Sequence, residues 1–158
     1  MTSRMTNRAQ LGMKIFLIAD AVLFFLLILA FLMFRRTANM SLTAGSLDTA
    51  LLLISVIAMW RAVSGARRWV VITILLGAAF LIGQAHEYLN LVRDSATITH
   101  GLFGTAYFTL TAVHALHVIA ALVAIGLVPH SALPAAAIFW YLLAAVWLAV
   151  FIVVYLAP

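Results

Sequence analysis

The sequence predicts an all-α, polytopic membrane protein, a bundle of five transmembrane helices forming one domain over residues 1–158. Three observations predict it. Hydrophobic residues make up 67% of the chain and charged residues only 8%, far from the near-half and near-quarter shares of a soluble domain. The apolar residues fall into five runs of about 20 or more, long enough to cross a bilayer as helices. The connections between them are short, with no Pro- or Ser-rich linker and no internal repeat. A soluble core of this size has no room for so much apolar surface.

The first run, at about 13–34, follows the charged lead MTSRMTNRAQLGMK. That lead resembles the start of a signal peptide. However, the run has full spanning length, carries Asp20, and ends at Arg35-Arg36 without a small-x-small cleavage site, so it reads as a retained helix. The second run, at about 47–65, has Asp48 near one end and Arg61 near the other, both expected to snorkel to the interface. Trp60 and Trp69 bracket the loop RAVSGARRW, as interfacial aromatics do. In the third run, at about 69–92, the small residues Gly77, Ala79 and Gly83 permit close helix approach. The fourth, at about 98–128, exceeds what a bilayer needs, so it tilts or projects, with its first turn near His100 in the interface. The fifth, at about 133–157, opens with Pro134, where a missing N–H costs little. Its Trp140 and Trp147 read as packing residues.

The net charge of +5 is not a nucleic-acid signal, because the basic residues sit at the ends of apolar runs, where they anchor helices. Cysteine is absent. That excludes disulfides, thiolate metal sites and haem attached through C-x-x-C-H. Arg4, Arg8, Lys14, Arg61, Arg67 and Arg68 fall on one side, and only Arg35, Arg36 and Arg93 on the other. The N-terminus is therefore expected in the cytoplasm and, after five crossings, the C-terminus outside.

Ionisable groups inside the hydrocarbon need a partner or a task. Asp20 lies about 9 Å past Lys14 along its helix. In TAVHALHVIAAL, His114 and His117 lie roughly 20–25 Å along a helix entering from the opposite side. Tyr141 lies a few residues into the fifth helix, so Asp20, His117 and Tyr141 share a layer. Glu87, in GQAHEYLN, lies near the outer end of the third helix, with His86 beside it and His100 across the next loop, an outer polar cluster. The simplest reading of His114 and His117 is hydrogen-bonded glue between helices, with Asp20 as a buried acid paired to histidine. A haem reading is half complete. His100 and His114, fourteen apart, suit a helix holding two stacked haems, and His86 would serve the outer one. The inner haem lacks a second ligand, since His130 is in a loop.

GQAHEYLN followed by TITHGLFGTAYFTLTAVHALHVIAAL resembles the signature region of subunit III of haem-copper respiratory oxidases. Gln84, Ala85, Glu87, Tyr88, Gly101, Gly104, Phe108, Thr111, His114, His117 and Val118 match that pattern in order and spacing. The first helix, MKIFLIADAVLFF, places Asp20 at the family's acid position, and the second and fifth helices are also similar. Differences are local. His100 replaces an acid, Ala112 and Ala115 replace glycines, and Tyr141 and Ala144 stand where the family has His and Asp after Trp140.

The resemblance implies a five-helix subunit III without catalytic, cofactor-binding or metal-binding residues of its own. Haem and copper would sit in the partner subunits. The chain would pack beside catalytic subunit I, together with subunit II, in a bacterial or archaeal cytoplasmic (inner) membrane. It would hold phospholipid and support proton uptake and durability during aerobic electron transport. Asp20, His114, His117 and Tyr141 would form a buried polar network, and Gly77, Gly83, Gly101 and Gly104 would serve helix packing. The alternatives are an accessory protein of nitric oxide reductase, which shares the motifs, and a haem-binding membrane anchor. A small transporter would show repeats or Gly/Pro-interrupted helices at mid-membrane, and the sequence shows neither.

Overall fold

The computed structural model describes residues 2–34, 42–93 and 101–156, with side chains from residue 10 onward. Five long helices account for nearly all of it: α1 Thr2–Phe34, α2 Leu42–Val63, α3 Arg68–Arg93, α4 Leu102–Leu127 and α5 Leu133–Phe151. A single 3₁₀ turn, His130–Ala132, leads into α5, and a π-wound turn, Ile152–Leu156, extends it. All five are long and apolar enough to cross a membrane. Helix is the form such segments must take, because in lipid every backbone N–H and C=O has to be satisfied within the segment.

The surface is apolar. Ile15, Phe25, Met33, Leu75, Ile82 and Leu127 are among many large side chains left exposed. A water-soluble protein rarely shows such contiguous apolar surface; lipid tolerates it. Inside, α4 and α5 pack together, α1 lies along α4 and α5, and α2 and α3 form a close pair against α5 and α4 respectively. The largest fully buried side chains include Trp140, Trp147, Phe24, Phe31, Phe80 and Phe108.

Several hydroxyl and indole side chains in the bundle are bonded locally or across helices. Thr49 donates to the Gly45 carbonyl at 2.7 Å, and Thr73 and Thr111 bond back to the preceding turn at 2.9 Å, which hides their hydroxyls from the apolar surroundings. The indoles of α5 then anchor to α2. Trp140 Nε1 donates to Ser55 Oγ at 3.2 Å and Trp147 Nε1 to Thr49 Oγ1 at 3.1 Å. A buried Trp N–H usually finds such a partner.

Two glycines set the chain's direction. Gly65 has φ +123° and its N–H bonds to the Ala62 carbonyl, which ends α2 with a left-handed residue that tolerates no Cβ cheaply. Gly101, at the start of α4, has φ +139°. A Cβ built there would meet nothing within 4 Å, so this position needs glycine for its backbone angle and not for helix approach. Gly77 and Gly83 are packing positions. A Cβ at Gly77 would fall 2.7 Å from a Leu122 methyl and 2.8 Å from the Trp140 ring. One at Gly83 would strike the Asp48 carboxylate. Gly104 is buried.

Candidate functional site

Two buried polar clusters occupy different depths of the bundle. In the first, Asp20 on α1 and His117 on α4 lie at matching heights, about 21 and 22 Å from the Phe34 and Leu102 ends of their helices at 1.5 Å per residue. Asp20 Oδ1 is 3.0 Å from His117 Nε2. On the other side of the ring, His117 Nδ1 is 2.8 Å from the Val113 carbonyl. A carbonyl only accepts, so Nδ1 carries a hydrogen. One further proton then lies between Nε2 and Oδ1, either as an imidazolium facing a carboxylate or as an imidazole facing a carboxylic acid. Both arrangements are neutral in sum, which is what a low-dielectric interior favours.

His114, one turn away on the same helix, is 1% exposed. It takes no part in that bond. Its ring stacks on Trp147 at 5.4 Å between centroids and meets the rings of Phe24 and Phe80 at steep angles. Phe24 also lies edge-on to His117 at 5.2 Å. Both His114 nitrogens and Asp20 Oδ2 are buried without a hydrogen-bond partner among the described residues. Tyr141 is half-buried and makes no hydrogen bond to Asp20, His114 or His117 among the described residues. The aromatic side chain of α5 nearest His117 is Phe139, at 6.5 Å.

The second cluster lies near the opposite end, about 9 Å below the ends of α2 and α3 by helix rise. Glu87 is buried and accepts a hydrogen bond from the Tyr155 hydroxyl. Gln84, one turn before it on α3, donates Nε2 to Asp48 Oδ2 on α2 at 2.7 Å. Tyr107 of α4 is buried beside the same group and interacts with Tyr155 and Glu87. His86 is exposed and accepts from Asn90 Nδ2 at Nδ1, 3.3 Å away. His100 lies outside the described residues.

Asp48 corrects the expectation that it snorkels to the interface. It is 5% exposed, held inward by Gln84 and seated on the α3 backbone at Gly83, where no side chain stands in its way. The sequence signal was the run of small residues around it, AGSLDTA, which allows α2 to approach α3 closely. Tyr155 and Tyr107 also escaped the sequence reading, because a tyrosine near a helix end is ordinarily an interfacial anchor.

Among the described residues no group of three or more His, Cys, Asp or Glu is placed to hold a metal ion. Each cluster ties helices together, α1 to α4 in the first and α2, its neighbour α3 and the end of α5 in the second.

Comparison with known proteins agrees with the motif reading. The sequence profile of the family described as cytochrome c oxidase subunit III matches residues 42–157. A cytochrome c oxidase subunit 3 of Corynebacterium diphtheriae is 39% identical over 105 residues, covering 59% of this chain and 51% of that protein. A probable cytochrome c oxidase subunit 3 of Mycobacterium leprae is 36% identical over 105 residues, covering 59% and 52%. One from Synechocystis is 28% identical over 175 residues, covering 92% of this chain and 74% of the relative. The chain thus spans about half the length of the Corynebacterium and Mycobacterium proteins it matches.

Proposed function

Since the chain belongs to the cytochrome c oxidase subunit III family, we propose that it is the non-catalytic, cofactor-free subunit III of a respiratory haem-copper terminal oxidase. In this reading it lies in the cytoplasmic membrane of a prokaryote, N-terminus inside and C-terminus outside, beside catalytic subunit I and with subunit II. Its work is to stabilise the catalytic subunit and to support proton uptake during aerobic electron transport.

The observation that carries the reading is the Asp20–His117 pair. It is neutral in sum, turned inward, and spent on tying α1 to α4. A bundle built this way offers a rigid wall to a neighbour, not a reacting group to a substrate. The groove between α3 and α4 fits the same role. It has a volume of about 520 Å³ and is walled by Leu81, Ala85, Ala112, Ala115 and Leu116, an apolar slot for the chain of a bound phospholipid.

Deleting the gene in its host tests this. The oxidase should still assemble with its haem and copper, turn over, and lose activity during sustained turnover or respond abnormally to pH. The purified chain should carry no haem absorption and no stoichiometric copper or iron. A stoichiometric haem in the isolated chain would sink the proposal, and so would an oxidase unchanged in assembly, rate and durability.

A further inference from the structure

The second polar cluster is closed by the last described turn, Ile152–Leu156. Tyr155 reaches it because the backbone passes into π winding at Ile152–Leu156, a local change that redirects side chains and recurs at functional positions. The Tyr155 ring stacks on Phe151 at 5.3 Å and lies on the α2 backbone at Gly45, where a Cβ would come 2.6–2.9 Å from three ring carbons. Its hydroxyl crosses to Glu87 on α3. One side chain therefore clasps two helices from a third. About one turn deeper, Asp48 repeats the pattern in reverse, leaving α2 to lie on the α3 backbone at Gly83.

Positive charge is what this clasp lacks among the described residues. Asp48 and Glu87 lie within each other's field, and neither has a Lys, Arg or His within ion-pair distance among the described residues. Among the described residues the ionisable groups facing the pair are few. α2 supplies Asp48, α3 supplies Glu87 and the exposed His86, α4 supplies Tyr107, and the final turn supplies Tyr155. The acid of α1, Asp20, belongs to the other cluster. One negative charge here is well served, since Tyr155 O–H donates to Glu87 and Gln84 N–H to Asp48. A second would set two buried, unneutralised carboxylates in each other's field.

We propose that this cluster is a proton-dependent clasp in which Asp48 and Glu87 together retain one proton. Loss of that proton to the aqueous phase at this end of the bundle drives α2 and α3 apart and frees the Tyr155 turn. The two contacts without slack, Tyr155 on Gly45 and Asp48 on Gly83, both bear on α2. They therefore open together.

The chain has no cysteine, so a spin label at Leu156→Cys, an exposed position, reports on the turn alone in the full chain reconstituted in lipid. A label at Leu102→Cys, also exposed, serves as reference. From about pH 6 to about pH 10 the mobile fraction at 156 should rise about threefold or more while the reference stays flat. Asp48→Asn keeps an acceptor for Gln84 and removes one charge, so the label should remain immobile across the range. Glu87→Gln keeps an acceptor for Tyr155 and should behave alike, which answers the question if either variant fails to fold. Tyr155→Phe keeps the ring on Gly45 but loses the bond to Glu87, and should be mobile at every pH. A flat response in the native sequence overturns the clasp. So does a rise that persists in Asp48→Asn and Glu87→Gln, or a Tyr155→Phe chain that titrates like the native one.

Discussion

Nε2 of His117 stands 3.0 Å from Oδ1 of Asp20, and the opposite nitrogen of the same ring is held by the Val113 carbonyl. The ring is thereby fixed in orientation from both sides, and the nature of the residue at position 20 decides what Nε2 finds.

Asp20→Asn should be mild. With Nδ1 carrying its hydrogen, Nε2 of a neutral His117 accepts from the asparagine amide, so a hydrogen bond survives. The loss should be less than about 0.6 kcal/mol, the average worth of a whole interhelical hydrogen bond in a membrane. Asp20→Leu leaves Nε2 facing hydrocarbon and should cost about 1–3 kcal/mol. Unfolding free energies in mixed detergent micelles distinguish the two, and equal losses would show that the pair contributes no hydrogen bond of consequence.

Gly77→Ala should destabilise by about 1–3 kcal/mol through overpacking. The added methyl meets both a Leu122 methyl and the Trp140 ring, and Trp140 is fully buried and tethered to Ser55, so it has nowhere to retreat. Gly12→Ala is the matched control. Its Cβ meets nothing within 4 Å, and replacing a mid-helix glycine gains about 0.5–1 kcal/mol. The two substitutions should move stability in opposite directions in the same unfolding assay.

Orientation is tested by two single cysteines in a chain that has none of its own. Ser64, in the loop before α3, and Arg93, at the far end of that helix, are both exposed. In intact cells an impermeant thiol reagent should label Arg93→Cys and leave Ser64→Cys unreacted until the membrane is opened. Labelling of Ser64→Cys from outside would reverse the proposed topology.

How far the sequence could be read depended on which coordinate a residue's role required. Hydropathy gives depth, and depth alone put Asp20 and His117 in one layer. It does not give rotation about the helix axis. For that reason the choice between His114 and His117 as the acid's partner needed the structure, as did the inward turn of Asp48. His114 and His117 look alike in sequence, yet one meets a carboxylate and the other three aromatic rings. Tyr155 was out of reach for another reason: its approach to Glu87 depends on a local change to π winding, which no apolar periodicity announces. The signature around Gln84, Glu87 and the two histidines was legible as a family pattern before any geometry was known.

The bond between α1 and α4 also has a history in time. During synthesis Asp20 enters the membrane with α1 long before His117 exists, since α4 follows about a hundred residues later. At about 5–20 residues per second, the nascent chain spends roughly 5–20 s with that acid unmet. What carries α1 through the interval is its own greasiness, because it is the most apolar of the five spans. The ribosome therefore delivers α1 as a helix able to wait, and the arrival of α4 ends the wait.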